Sequence, residues 1–271
     1  MSAIGEFDSN VRDQLGALLL RGFVWLVMLF VLTPLLVIST MAFTAGEFLT
    51  FPPDGLSVRW FEVLLADSSW LEAISLSVMV GIPAALVATT IGGAAAYALD
   101  RYDYRFGKAL AAAATLPIML PPVIIGVMFL AFFVAVGFSG TIWNLIIAHA
   151  IFLTPFPFIL VSQGLAEIDR SYEEAARNLG ASQFTTVRTV TLPLVKANVV
   201  AGFLFAFILS LNEYIIAWLL SGFVIQTVPI QIFTSLRYNY SPVIAVVSFL
   251  FIVVTFAALA VADYLAGGLW E

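Results

Sequence analysis

Few side chains in this 271-residue chain have the type and setting to do chemistry. Ser139, in the run Gly137–Phe138–Ser139–Gly140, and His149 offer a hydroxyl and an imidazole, the groups from which a nucleophile and its base are built. Ten residues of helix would hold them about 15 Å apart, whereas such a pair must meet within about 3 Å. The glycine-flanked run therefore reads as a tight turn, and His149 as a group used in helix packing. Glu213 is an acid inside an apolar run, flanked by Asn212 and Tyr214. Glu173, Glu174 and Arg177 gather charge on a short polar stretch. There is no cysteine and one histidine, so neither a thiolate nor a histidine metal site is expected. Neither Lys108 nor Lys196 completes a GxxxxGK[ST] phosphate loop, so the chain has no means of hydrolysing ATP and no cofactor of its own is expected.

The elements that must position these groups are set by composition. Hydrophobic residues make up 62% and charged residues 10%, with a mean hydropathy of +1.06, against roughly 25% charged residues in a soluble domain. About 20 apolar residues cross a hydrocarbon core of roughly 30 Å. Such runs predict six helices, at about 22–46, 73–99, 109–137, 141–162, 198–220 and 243–262, in one all-α transmembrane domain over 1–271. Pro83, Pro117, Pro121, Pro122, Pro155 and Pro157 fall in spans two to four, where they free carbonyls and bend helices. The residues from Gln226 to Tyr240 form an outer segment of mixed polarity.

Charge sets the orientation. With the amino terminus inside, Arg12, Arg21, Arg101, Arg105, Lys108, Arg170, Arg177, Arg188 and Lys196 lie on inner segments, and Arg59 and Arg237 on outer ones. Nine against two is a positive-inside bias, which predicts a multi-pass protein with both termini cytoplasmic. By the 1.5 Å rise, Glu213 sits about 22 Å along span five, in the outer half of the bilayer. An ion at that depth is costly and usually faces a cavity, so Glu213 is the candidate for attracting a cationic solute; the other readings are an interface anchor or a partner of Arg237.

The inner loop 163–197 is far longer than the 2–8 residues usual between packed helices. Ser171 with Glu174 three residues on predicts a capping box, Gly180 a helix stop, and Ser182 a second cap before Phe184, Val187, Val190 and Leu192–Pro193. The product is a cytoplasmic helix–turn–helix. Ala175 and Ala176 keep its first helix slim, and Glu173, Glu174 and Arg177 ring it with charge, as suits a docking knob; a helix lying on the membrane surface is the other reading.

Glu174–Ala175–Ala176, then Gly180, Val190 and Leu192–Pro193, resembles the EAA motif of binding-protein-dependent, type I ABC importer permeases, with valine where isoleucine is usual. Phe51–Pro52–Pro53–Asp54–Gly55–Leu56–Ser57–Val58–Arg59–Trp60 and Asn178–Leu179–Gly180–Ala181–Ser182 are similar to segments of the spermidine/putrescine-type members. The resemblance implies a permease subunit in the cell inner membrane, with a cytoplasmic coupling helix carrying Glu173, Glu174, Ala175, Ala176, Arg177 and Gly180. It implies as partners an ABC ATPase dimer that binds the ATP, a second permease chain in a heterodimer, an extracytoplasmic solute-binding protein and the lipid bilayer, with no nucleic acid. Asn212, Glu213 and Tyr214 would then belong to the translocation pathway of a polyamine or similar charged solute. An ion-coupled secondary transporter and an intramembrane enzyme are the alternatives from other classes.

Overall fold

In hydrocarbon a backbone amide or carbonyl has no water to bond, so an apolar chain must satisfy these groups within each segment, and helices result. The computed structural model describes residues 2–103, 105–221, 224–238 and 240–265. In chain order its elements are α1 (Ser2–Met41), α2 (Arg59–Ala66), α3 (Ser68–Arg101), α4 (Gly107–Met119), α5 (Pro122–Ala135), α6 (Ile142–Leu153), α7 (Pro155–Ala166), α8 (Ser171–Asn178), α9 (Gln183–Thr186), a π-turn (Val187–Thr191), α10 (Leu192–Leu194), α11 (Lys196–Asn212), α12 (Ile215–Ser221), α13 (Val228–Tyr238) and α14 (Val243–Leu265). Among the described residues no strand forms; Thr44 and Leu56 make an isolated bridge.

Leu15–Met41, Ser68–Arg101 and Val243–Tyr264 are each long and apolar enough to cross a membrane unbroken. Three further stretches qualify as bent pairs: α4 with α5 at 108°, α6 with α7 at 40°, and Gln183–Leu194 with α11 at 73°. The sharpest bend follows from sequence. Pro121 and Pro122 bring no N–H, and a proline forces the residue before it out of the helical region, so Leu120 sits at ψ 138° and Pro121 at ψ 136°. At the second break Pro155 has no amide to give, while the Thr154 hydroxyl donates back to the Ala150 carbonyl at 2.7 Å.

The fifth span differs from expectation. The apolar run 198–220 predicts one helix, but α11 ends at Asn212, Glu213 is extended, and α12 starts at Ile215. The mixed segment after it contains a helix, α13, whose first amide, Val228 N–H, donates to Ser77 Oγ of α3 at 2.8 Å.

The chain divides into two compact units. In the smaller unit, Phe43 and Phe61 pack at 5.1 Å, Phe249 meets Phe43 edge-on at 5.3 Å, and the Trp60 indole donates to the Gly46 carbonyl at 3.0 Å. The larger unit is built around α3, which packs on α6, α7 and α11. The face α3 buries is made of small residues at helical spacing, including Ala73, Ser77, Gly81, Ala84, Ala88, Gly92 and Ala96. Small residues let backbones approach where lipid provides no hydrophobic drive for association. A Cβ on Gly92 would lie 2.8 Å from both the Thr154 carbonyl oxygen and the Phe158 amide nitrogen, and one on Gly202 would lie 2.9 Å from Pro157 Cα. Backbone meets backbone at both crossings, so α3, α7 and α11 form a stiff group.

This packing makes Gly92→Ala a severe change and its neighbour a mild one, since a Cβ on Gly93 would meet nothing closer than 3.9 Å. Gly92→Ala should cost about 1–3 kcal/mol by overpacking and lower the temperature at which the detergent-extracted protein aggregates. Gly93→Ala should leave it within error, and equal effects of the two substitutions would refute the close crossing.

Candidate functional site

The loop between α7 and α11 folds as a helix–turn–helix whose start differs from the expected capping box. Asp169 Oδ1 accepts the Ser171 amide at 2.9 Å, and the Ser171 side chain makes no cap to the amides of α8. Asp169 stands two residues before the helix, where its carboxylate reaches an exposed amide and favours the positive end of the dipole. The Ser171 amide and then the Ser171 hydroxyl hold the Asp169 pKa below its ordinary value.

The end of α8 is as expected. Gly180 has φ +91°, its N–H donates to the Arg177 carbonyl at 2.9 Å, and the Ala181 N–H donates to the Ala176 carbonyl at 3.1 Å. Those two bonds are a Schellman motif, which needs a residue able to adopt positive φ. Ser182 then caps α9 by accepting the Thr185 amide at 3.2 Å. The helix widens into the π-turn because Pro193 offers no N–H and crowds the carbonyl four residues back; the Leu192 amide bonds instead to Val187, five residues back. On this scaffold Leu179 is 89% exposed and Phe184 75% exposed, with Glu174 and Ala175 also outward.

Glu173 departs from the reading that placed it on the exposed ring with Glu174 and Arg177. It is 1% exposed and turned inward. Its Oε2 takes the Arg101 Nε–H at 2.9 Å and faces Arg177 Nη2 at 3.5 Å, and its Oε1 takes the Thr191 hydroxyl at 2.6 Å. Arg101 is the last residue of α3, and its guanidinium also pairs with the Asp100 carboxylate. Arg170 reinforces the junction by donating to the Asp100 carbonyl at 2.6 Å. Burial pushes the Glu173 pKa up, but the hydrogen bonds from Arg101 and Thr191 and the charges of Arg101 and Arg177 outweigh it, so the carboxyl lies below its ordinary value. Sequence reading missed Arg101 as the partner. The available signal was a basic residue ending span two on the same side of the membrane as the loop.

Asn212, Glu213 and Tyr214 do not act as one cluster. Asn212 is exposed and donates to the Ile208 carbonyl at 2.8 Å, while Tyr214 stacks on Phe233 at 4.7 Å. Glu213 is 8% exposed, and its two oxygens accept the Ile216 and Ala217 amides, each at 2.9 Å. Neither the interface anchor nor the Arg237 pairing describes it; Arg237 instead lies over the Phe233 ring at 5.6 Å. Glu213 caps α12 and so holds the break in span five. His149 Nε2 lies 3.5 Å from Glu213 Oε2, and His149 Nδ1 shares a 2.8 Å hydrogen bond with Ser210 Oγ. His149 therefore joins α6 to α11. Ser139 is exposed in a turn whose Gly137 and Gly140 have φ +69° and +71°.

Residues 88–270 match the family described as binding-protein-dependent transport system inner membrane component. The spermidine/putrescine transport system permease protein PotC of Haemophilus influenzae is 30% identical over 237 residues, which cover 88% of this chain and 92% of that protein. The putrescine transport system permease protein PotI of Escherichia coli K12 is 34% identical over 235 residues, covering 83% and 80%. In fold, the chain superposes on a bacterial ABC transporter involved in import of the acidic polysaccharide alginate with a TM-score of 0.69 at 18% identity, covering 96% of this chain and 98% of that one. It superposes on an inward-facing MetNI methionine ABC transporter with a TM-score of 0.56 at 17% identity, covering 73% and 96%.

The lowered Glu173 pKa sets a sign for pH dependence. A carboxyl depressed on folding contributes stability above its unfolded pKa and loses it as pH falls through the depressed value. The protection of amides across 169–193, relative to their intrinsic exchange, should therefore be full at neutral pH, begin to fall as pH drops through the ordinary carboxylate range and be lost in stronger acid. Glu173→Gln should speed exchange of these amides about tenfold or more already at neutral pH, since breaking one partner of a buried pair is costly. Identical exchange in wild type and variant would show that the pair does not hold the loop.

Proposed function

The chain belongs to the family of binding-protein-dependent transport system inner membrane components, and on that premise we propose that it supplies half of the translocation pathway for a polyamine or similar small charged solute. It is a transport subunit of an ABC importer, embedded in the membrane, and not an enzyme. The observation that carries the reading is the helix–turn–helix of α8 and α9, which leaves Leu179 and Phe184 bare on a capped and ion-paired scaffold. Apolar tips held out by a rigid polar base fit a groove in another protein.

In this reading α8 seats in a separate ATPase subunit of a dimer, which binds the ATP. Glu174, Ala175 and Ala176 form the contact, Gly180 aims it, and Glu173 with Arg177 supports it from behind. A second permease chain completes a heterodimeric pathway, and a solute-binding protein delivers cargo from outside. Six crossings, three of them bent, put the knob and both termini in the cytoplasm of a cell whose inner membrane holds the complex; the nine-to-two distribution of basic residues supports that orientation. Asn212, Glu213 and Tyr214 stand at the break in the fifth crossing, where an acid and interrupted backbone give a passing cation oxygen atoms to meet. The polyamine assignment is supported by the names of the relatives at 30% and 34% identity.

The test is Gly180→Val in the reconstituted importer. No atom lies within 4 Å of a Cβ at Gly180, so the substitution clashes with nothing and acts through backbone conformation alone. Positive φ costs a β-branched residue about 1–2 kcal/mol or more. Insertion and yield should be normal, while solute-stimulated ATP hydrolysis and uptake are lost; Gly180→Asn, which tolerates positive φ better, should keep more of both. Full stimulation in the valine variant would sink the coupling role, and uptake by this chain in liposomes lacking the ATPase would favour a secondary carrier. Orientation is tested separately. In a chain without cysteine, Asp54→Cys should react with an impermeant thiol reagent from outside and Gln183→Cys only after permeabilisation.

A further inference from the structure

The coupling role leaves open how a push on α8 reaches the membrane helices, and the packing around the knob limits the routes. A cavity of about 480 Å³ lies between α3 and the second half of the loop, with Thr89, Thr90, Gly93 and Tyr97 on one wall and Val187 and Thr191 on the other. Force passes between elements through packed or bonded contacts. The loop is bridged to the end of α3 by Arg101 with Glu173 and by Arg170 with Asp100, and Thr191 ties the π-turn into the same carboxylate. The two bridges differ in burial: the Arg170 side chain is 62% exposed, while Arg101 is 5% and Glu173 2% exposed. An exposed pair is weak and yields to solvent; a buried one keeps its strength.

We propose that the buried Arg101–Glu173 pair is the link through which displacement of the knob drives α3, with Arg101 and Glu173 acting as positioning residues for ATPase coupling. This rests on the coupling reading above and names its transmitting contact. The pair is suited to transmission because it sits at the end of the stiff group formed by α3, α7 and α11. A rotation of α3 about the close crossing at Gly92 must carry its neighbours with it. The pair is also not saturated. Glu173 engages the guanidinium through Nε, and Arg101 Nη2 is buried without a hydrogen-bond partner. A small shift of α8 along the fork gives the carboxylate a second donor while the charge pair stays intact, so the link has two arrangements, as a transmitting element requires.

The experiment uses the whole importer in proteoliposomes, with the receptor loaded with putrescine as the probe, and compares wild type, Glu173→Gln and Arg101→Lys. For Glu173→Gln the amount of ATPase that co-purifies should match wild type, because Glu173 is turned away from the docking face, while the ratio of stimulated to unstimulated hydrolysis falls about tenfold or more. Arg101→Lys keeps the charge but loses the fork, and should retain part of the ratio. Cysteines at 101 and 173, bridged by a short bismaleimide, should restore stimulation relative to the unbridged protein, since a covalent tie replaces the ionic one.

A wild-type ratio in Glu173→Gln would overturn the inference alone, as would a fall in which ATPase co-purification drops in proportion and bridging restores nothing. Full stimulation in Gly180→Val would overturn the coupling reading and the inference with it.

Discussion

Every backbone amide and carbonyl placed in hydrocarbon has to find a partner inside the protein, and the arrangement of this chain follows from how it meets that demand where helices are interrupted. The unbroken helices meet it by themselves. Two of the breaks use a side chain, and the side chain differs between them. At Thr154 a hydroxyl bonds back to the Ala150 carbonyl beside the amide-less Pro155. At the end of α11 a carboxylate is used, since Glu213 takes two amides at the start of α12. A buried acid that would be expensive alone is thereby matched to the positive end of a helix dipole.

The same demand explains why α3 is lined with alanine and glycine. Without water to drive helices together, contact area must come from close approach, and at Gly92 and Gly202 that approach brings backbone against backbone. Close crossings fix the angle between helices more firmly than interlocked leucines, which repack at modest cost. The result is a closely packed α3, α7 and α11 group and, at the Arg101 end of α3, a loop fastened by buried charge.

Much of this was legible in the sequence. The apolar runs gave the helices of the membrane region because hydrocarbon thickness is a length requirement, and the knob was legible because Gly180 and Ser182 are local signals acting within a few residues. Other features were hidden by the range of the interaction that decides them. Glu173 and Glu174 are neighbours in an eight-residue helix, about 100° apart around its axis, and nothing local says which turns inward. The answer lies in Arg101, 72 residues away in the chain. Ser171 with Glu174 reads as a capping box, but Asp169 two residues earlier takes the Ser171 amide, and that choice is made by the loop geometry before the helix. Hydropathy placed Glu213 at a depth but said nothing of the break it holds, because an acid that caps a helix and an acid that faces a pathway look alike in a row of letters.

The two buried glutamates show how one side chain serves opposite ends. Glu173 is bound to a cation on a different helix, so its contact ties two separate elements together. Glu213 is bound to amides of the helix that follows it in the chain, so its contacts fix a local shape. His149 then links that shape to the neighbouring helix through Ser210. A carboxylate paired across helices joins two elements, and one that caps its own chain shapes a single one. The first lies buried between α8 and the end of α3, and the second at the break between α11 and α12.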